Sequence, residues 1–150
     1  MRVLVVGATG ILRPAAATLA AEGHRVTGVA RDASSVPTGV AGLSADATVP
    51  AFVADGSWDA ALVYGPAVSP ASLEAIRAAV TGPVVRVLTS EAAAPDRASA
   101  LSEPYVLQLG WVPLTRQWHT AAEVSSAALQ VLEDGDSRGL GVVRPWEDRP

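Results

Sequence analysis

The chain has 150 residues, 49% of them hydrophobic and only 17% charged, enough for one buried core and too apolar for a disordered chain. Its net charge is -4, and its eleven basic residues are all arginines scattered from Arg2 to Arg149, so it lacks the clustered positive face of a nucleic-acid binder. There is no cysteine, which removes disulfides and thiolate metal sites.

The first apolar run is too short for a secretory core of about 7–15 residues. No stretch approaches the ~20 apolar residues of a membrane span. A cytoplasmic location is therefore expected, with neither nucleic acid nor membrane as partner. Val3–Val6 reads as a strand that is apolar throughout, as one buried on both faces should be. Ile11 to Glu22 reads as a helix, with Ile11, Leu12, Ala15, Leu19 and Ala20 at helical spacing. Pro14 is tolerated in its first turn, and Gly23 stops it. Arg25–Ala30, Val40–Ser44 and Ala60–Tyr64 are the next strands, followed by a helix from about Ser69 to Val80. Val84–Thr89 is a fifth strand, residues 91–104 a loop, and Tyr105–Leu109 a sixth strand. Thr120-Ala121-Ala122-Glu123 matches a capping box, opening a helix through Leu132. Gly139–Val143 is a last short strand, and residues 144–150 form a tail. Strands alternating with helices predict one α/β domain over residues 1–150, with a mostly parallel, doubly wound sheet and right-handed crossovers.

Gly7-Ala8-Thr9-Gly10-Ile11-Leu12-Arg13 lies between the first strand and the first helix. A glycine at 7 permits the tight turn, and one at 10 lets the backbone approach a diphosphate. The helix N-terminus then offers free amides and partial positive charge to the anion. This context predicts a dinucleotide site at Gly7, Thr9, Gly10, Ile11, Leu12 and Arg13; a glycine-rich turn that binds nothing is the alternative.

Gly7-Ala8-Thr9-Gly10 after Val-Leu-Val-Val resembles the start of the short-chain dehydrogenase/reductase superfamily. The likeness is strongest to its extended and atypical branches, NmrA-like proteins included, whose signature is Gly-x-x-Gly-x-x-Gly. A fainter similarity runs through Val87-Leu88-Thr89-Ser90. Trp118-His119-Thr120-Ala121-Ala122-Glu123-Val124 is similar to a segment before a late helix in those branches. The resemblance implies a Rossmann-type fold that binds a nicotinamide dinucleotide. Arg13 replaces the third glycine, and it either widens the loop or turns toward the phosphates, the second being favoured.

The choice of nucleotide is read after the second strand. An acidic residue there meets the ribose 2′-hydroxyl of NAD, and an arginine accommodates the 2′-phosphate of NADP. Arg31, with Ser34 and Ser35 behind it, favours NADP(H) over NAD(H); Asp32 is the competing NAD-type residue, and a surface Arg–Asp pair is the third reading. Asp46 resembles the aspartate that meets the adenine amino group in this superfamily, or else forms an Asx turn. Tyr64 and Gly65 end the fourth strand at the edge where open α/β sheets bind ligands. Tyr64 either lines the cleft or is a half-buried aromatic.

The superfamily's reductases place a tyrosine acid four residues before a lysine, with a serine to position the substrate. Ser90 sits where that serine's strand ends, and Tyr105 follows fifteen residues later, but the residue four beyond is Leu109 and the chain has no lysine. A phenol with the ordinary value near 10 is a poor proton carrier at neutral pH without such help. Tyr105 is therefore read as a core aromatic, and the catalytic residue stays unassigned. His24 reads as a surface residue. His119 stands beside Trp118 and ahead of a helix cap, and histidine as a residue type titrates near neutrality. Two histidines so far apart make no metal site. Trp111, Trp118 and Trp146 wall a small pocket, form the interface of a homodimer, or fill the core.

Three functions stay open at this point. One is a shortened, atypical member binding NADP(H) and acting as an oxidoreductase on a small molecule, with its proton from water, His119 or Tyr64. Another is a non-catalytic dinucleotide-sensing or scaffold module. The third is a non-redox enzyme using the same cleft.

Overall fold

The computed structural model describes residues 1–50, 52 and 56–150. Its strands are β1 (Arg2–Val6), β2 (Arg25–Ala30), β3 (Ala41–Ser44), β4 (Ala60–Tyr64), β5 (Val84–Leu88), β6 (Val106–Leu109) and β7 (Arg138–Leu140). They form one sheet in the order β3-β2-β1-β4-β5-β6-β7, and every neighbouring pair is parallel. This is the doubly wound Rossmann-type arrangement. The chain winds outward from β1 through β2 to β3, then returns beside β1 with β4 and winds the other way. The carboxyl ends of β1 and β4 therefore flank the switch point, where open α/β sheets have their ligand crevice.

The central strands are apolar throughout because both faces are covered. Val3 and Val5 of β1 and Leu62 of β4 point into one core with Leu12, Ala15, Ala16, Val124 and Ala128. Leu4 and Val6 point the other way, against Val29, Phe52, Trp58, Val63 and Ile76. Each of the buried valines, leucines and isoleucine among them contributes about 1.5–3 kcal/mol relative to exposure. The first face is made by α1 (Arg13–Ala21) and α3 (Ala121–Asp134), and the second by α2 (Pro70–Ala79) with the segment that carries Ala47, Phe52 and Trp58.

Local chemistry sets the helix ends. Ser69 accepts from the Ser72 amide to start α2. Thr120 and Glu123 form the reciprocal capping box of α3, and Gly135 ends it in the left-handed region at φ 78°. Only three of the crossovers carry an α-helix among the described residues. A 3-10 turn at Ala33–Ser35 lies between β2 and β3, and two more, Ser90–Ala93 and Ala100–Ser102, lie between β5 and β6. β3 is an exposed edge strand, which explains its faint apolar signature.

Residues 144–150, expected as a tail, fold back instead. A 3-10 turn at Trp146–Asp148 sets Trp146 edge-on to buried Trp111 with ring centroids 6.5 Å apart. The guanidinium groups of Arg144 and Arg149 lie 5.7 and 5.0 Å from the Trp146 ring centroid. No helix among the described residues is long and apolar enough to cross a membrane.

β2 passes unusually close to the turn that follows β1. A Cβ on Gly28 would stand 2.7 Å from the Ala8 Cβ and 3.1 Å from the Val36 Cγ1. Gly28→Ala is expected to lower stability by about 1–3 kcal/mol through overpacking, read as a lower urea midpoint at unchanged slope; an unchanged midpoint would show that β2 has room to shift.

Candidate functional site

The site is built on the turn between β1 and α1. Gly7 has φ +105°, and a Cβ there would meet the Tyr64 Cβ at 2.9 Å, so both backbone conformation and space require glycine. Its carbonyl accepts from the amides of Gly10 (3.2 Å) and Leu12 (3.3 Å), and the Arg13 amide donates to the Gly10 carbonyl at 3.1 Å. These bonds delay the helix. Ile11 and Leu12, expected inside α1, belong to the turn, and α1 begins at Arg13. Buried Ser125 of α3 donates to the Ile11 carbonyl at 3.0 Å and clamps the turn from behind.

What the turn leaves free is as informative. A Cβ on Gly10 would meet nothing within 4 Å. Among the described residues the amides of Thr9 and Ile11 have no acceptor. Unpartnered amides beside open space at a helix start form an anion cradle. Arg13 does not close it; its guanidinium reaches across to the Ser35 carbonyl.

The second wall comes from β2 and β3. Asp32 caps the 3-10 turn after β2: one carboxylate oxygen accepts from the Ser34 amide (3.0 Å) and hydroxyl (2.6 Å), the other from the Ser35 hydroxyl at 3.1 Å. The Ser34 hydroxyl first, then the Ser34 amide and Ser35 hydroxyl, hold this carboxyl below its ordinary value. Asp32 and Ser34 thus satisfy each other. Arg31 anchors its carbonyl on the Ser44 hydroxyl at 2.9 Å, while its guanidinium makes no hydrogen bond or ion pair among the described residues. Asp46 forms an Asx turn, accepting from the Thr48 amide (2.9 Å) and hydroxyl (2.5 Å) through one oxygen. Those two bonds, aided by the charge of Arg31, hold its carboxyl below the usual carboxylate range. Its second oxygen is left for another donor. Gly7, Thr9, Arg31, Asp46, Thr48 and Tyr64 together line a cleft of about 280 Å³. Gly65 does not join them; it faces a neighbouring hollow with Ser69, Leu88 and Thr89.

Tyr64 is shared with a second cavity of about 400 Å³, at the ends of β4, β5 and β6, lined also by Ile11, Ser90, Trp118, His119 and Arg149. Arg149 donates from Nε to the buried Ser90 hydroxyl at 3.0 Å and pairs with the Glu91 carboxylate. His119 Nδ1 lies 3.0 Å from Glu123 Oε2, with the histidine side chain only 10% exposed. The bond from His119, followed by those from the Thr120 amide and hydroxyl, holds Glu123 below the usual carboxylate range. Tyr105 is nowhere near. It precedes β6 at the opposite edge of the sheet, at φ 58°, with its amide on the Gly135 carbonyl at 3.2 Å and its ring packed against Gly135.

Sequence reasoning passed over Thr48, Ser125, Glu123 as the partner of His119, and Arg149. The Asp-x-Thr spacing and the four-residue step from His119 to Glu123 carry a signal for two of them. Nothing local announces the other two.

By sequence, no protein-family profile and no curated protein matches the chain. Solved structures do share its fold. A wide-type short-chain dehydrogenase/reductase from Veillonella parvula, in complex with NADP, is 17% identical, with a TM-score of 0.65 covering 99% of this chain and 98% of its own. An oxidoreductase of the short-chain dehydrogenase/reductase family from Burkholderia thailandensis is 18% identical, with a TM-score of 0.63 and coverage of 93% and 91%. An oxidoreductase from Lactococcus lactis is 13% identical, with a TM-score of 0.62 and coverage of 94% and 90%. At these identities the likeness establishes the fold alone, a Rossmann-type α/β domain.

Asp32, Asp46 and Glu123 have depressed folded-state values. Each contributes stability that is complete above the unfolded value near 4 and is lost as pH falls through the lower folded value. The urea midpoint is therefore expected to hold from about pH 7 to 5 and to drop progressively below about 4, with a shallower drop in Asp46→Asn. A midpoint that stays flat down to pH 3 would contradict these assignments.

Proposed function

We propose that the groove running from the Arg31–Asp46 cleft, over the Gly7–Gly10 turn, to the Tyr64–His119 cavity binds NADP(H), and that the protein is an oxidoreductase acting on a small molecule. The observation that carries this reading is the anion cradle: two unpartnered amides at Thr9 and Ile11 beside the open space over Gly10. A diphosphate supplies the acceptors those amides lack, and the start of α1 adds its partial positive charge. Gly7, Gly10 and Ile11 form the floor, with Leu12 buried beneath them and its amide spent on the Gly7 carbonyl. The guanidinium of Arg31, unpaired among the described residues, suits a 2′-phosphate, whereas Arg13 is engaged by the Ser35 carbonyl and Ser34 by Asp32. Asp32 is a weak candidate for the 2′-hydroxyl of NAD, since the serines that follow it occupy both its oxygens. The unengaged oxygen of Asp46 suits an adenine amino group.

When bound, the nicotinamide would supply hydride chemistry. The chain's own residues do the rest. Tyr64 lines both cavities and Ile11 the larger one, and Ser90, fixed by Arg149, carries a hydroxyl at the end of β5. A second reading, a binding module without turnover, is favoured by one fact: the chain has no lysine to assist a tyrosine acid.

Calorimetric titration with the four nicotinamide dinucleotides tests the proposal. NADPH is expected to bind most tightly. Arg31→Ala should weaken it roughly ten- to hundredfold, the range of a lost charge-assisted contact of about 1.5–3 kcal/mol, while leaving NADH unchanged. No binding of any dinucleotide would overturn the reading, and equal losses for NADPH and NADH would overturn the role of Arg31.

A further inference from the structure

Residues 144–150 are joined to the body of the protein by side chains alone. At Val142 the amide donates to the Trp111 carbonyl and the carbonyl accepts from the Trp111 amide, both at 2.9 Å. Beyond Val142, among the described residues, the main-chain hydrogen bonds run only inside the segment. The Asp148 amide donates to the Pro145 carbonyl and the Arg149 amide to the Trp146 carbonyl, both at 3.1 Å. The segment is therefore a preformed 3-10 turn with a pivot after Val142.

The ties that hold it down are weak by kind. Trp146 is half-buried and meets Trp111, which is 1% exposed, edge-on. Asp148 pairs with Arg116 at 3.1 Å, and the two side chains are 36% and 63% exposed. Arg149 pairs with Glu91, at 32% and 61% exposure, and donates from Nε to the Ser90 hydroxyl at 3.0 Å. Ion pairs this open to solvent contribute little and are screened by salt. An element held by such contacts, without a backbone ladder, opens more readily than the core.

The body beneath is held independently of the segment. The loop that carries Arg116 is closed by bonds from the Val112 amide to the Gln117 carbonyl and from the Arg116 amide to the Val112 carbonyl, 2.8 Å each. Ser90 and Glu91 belong to their own 3-10 turn at the end of β5. Arg149 is the one residue of the segment that lines the cavity of about 400 Å³, beside Ser90 and Glu91. Ser90 is only 3% exposed with Arg149 in place. Lifting the segment removes a wall of the cavity and the bond to the Ser90 hydroxyl in one movement.

We infer that residues 144–150 form a strap over this cavity, held shut by the Arg149–Glu91 and Arg116–Asp148 pairs and by the Trp146 ring, and that ionic strength sets how often it lifts. With the strap down, the Ser90 hydroxyl is occupied by Arg149 and that side of the cavity is closed. With it up, the hydroxyl is released and the cavity opens beside β5. The inference goes beyond dinucleotide binding and does not rest on it.

The chain has no cysteine, so Ser90→Cys introduces a single thiol whose alkylation by iodoacetamide reads the lifting of the strap. Rates are taken relative to a short cysteine peptide in the same buffer. Ser72→Cys, at a position that is fully buried in α2, reports opening of the whole domain. Raising NaCl from about 0.02 to about 0.5 M is expected to speed alkylation at position 90, because exposed pairs lose most of their attraction over that range. Asp148 does not line the cavity, so Asp148→Asn acts there only through the strap. It should speed the reaction at low salt about two- to fivefold, the range of one exposed pair, with the Ser72→Cys rate unmoved. A rate at position 90 that neither salt nor Asp148→Asn changes, or one that rises in step with the Ser72→Cys rate, overturns the inference. Fluorine NMR of otherwise wild-type protein carrying fluorotryptophan at its four tryptophans gives a second reading. The Trp146 and Trp111 signals should move together with salt while Trp58, in the core of the opposite face, stays. If Ser90→Cys does not fold, that titration decides alone, and Trp146 and Trp111 signals left unmoved by salt overturn the inference.

Discussion

The backbone at Gly7 fits where no side chain would. At φ +105°, with its missing Cβ 2.9 Å from that of Tyr64, this residue lets the chain leave β1, turn within a few residues and start α1 without filling the crevice between β1 and β4. That crevice is the switch point of the sheet, and both cavities open on it. Tyr64 closes the turn from below and lines both the smaller cleft and the larger chamber beyond. Ser125 and Gly28 hold the turn from α3 and β2. Core packing and site geometry therefore depend on the same few contacts, and changes that loosen the first would be felt in the second.

The two faces of the sheet are covered unequally. One carries two full helices whose small residues, Ala15, Ala16, Ala127 and Ala128, allow close packing on the strands. The other has α2 and a segment anchored by Phe52 and Trp58. Where helices are missing, polar capping takes over their work. Asp46 with Thr48 fixes the loop beyond β3 at the rim of the cleft, and Asp32 with its two serines fixes the loop beyond β2, whose Val36 and Val40 pack on the opposite face. Both carboxylates owe their lowered pKa to local hydrogen bonds, with Arg31 a smaller influence on Asp46 alone.

Much of this was legible in the residues. Val3–Val6, the glycine turn and the apolar stripe of α1 sit close enough in sequence for strand, turn and helix to be read together, and the capping box at Thr120 marks the start of α3 to the residue, though the helix runs two residues past Leu132. The start of α1 was misplaced by two residues because apolar spacing does not register that the Gly7 carbonyl takes two amides for itself. Asp32 reads as an NAD-type acceptor or half of a surface Arg–Asp pair because nothing in Asp-Ala-Ser-Ser says that its oxygens turn to the two serines. The Glu123 side chain was absorbed into the cap, yet its two oxygens divide the labour, one on Thr120 and one on His119. Arg149 on Ser90 joins residues far apart in the chain, and such contacts leave no local trace.

The central claim is that the amides around Gly10 hold a diphosphate. Backbone amide NMR during a titration with NADPH tests it most directly. The account predicts that the largest and earliest shifts fall on Thr9, Gly10 and Ile11, with Arg31, Thr48 and Tyr64 following along the groove. Shifts confined to another edge of the sheet, or a spectrum unmoved by the dinucleotide, would contradict it.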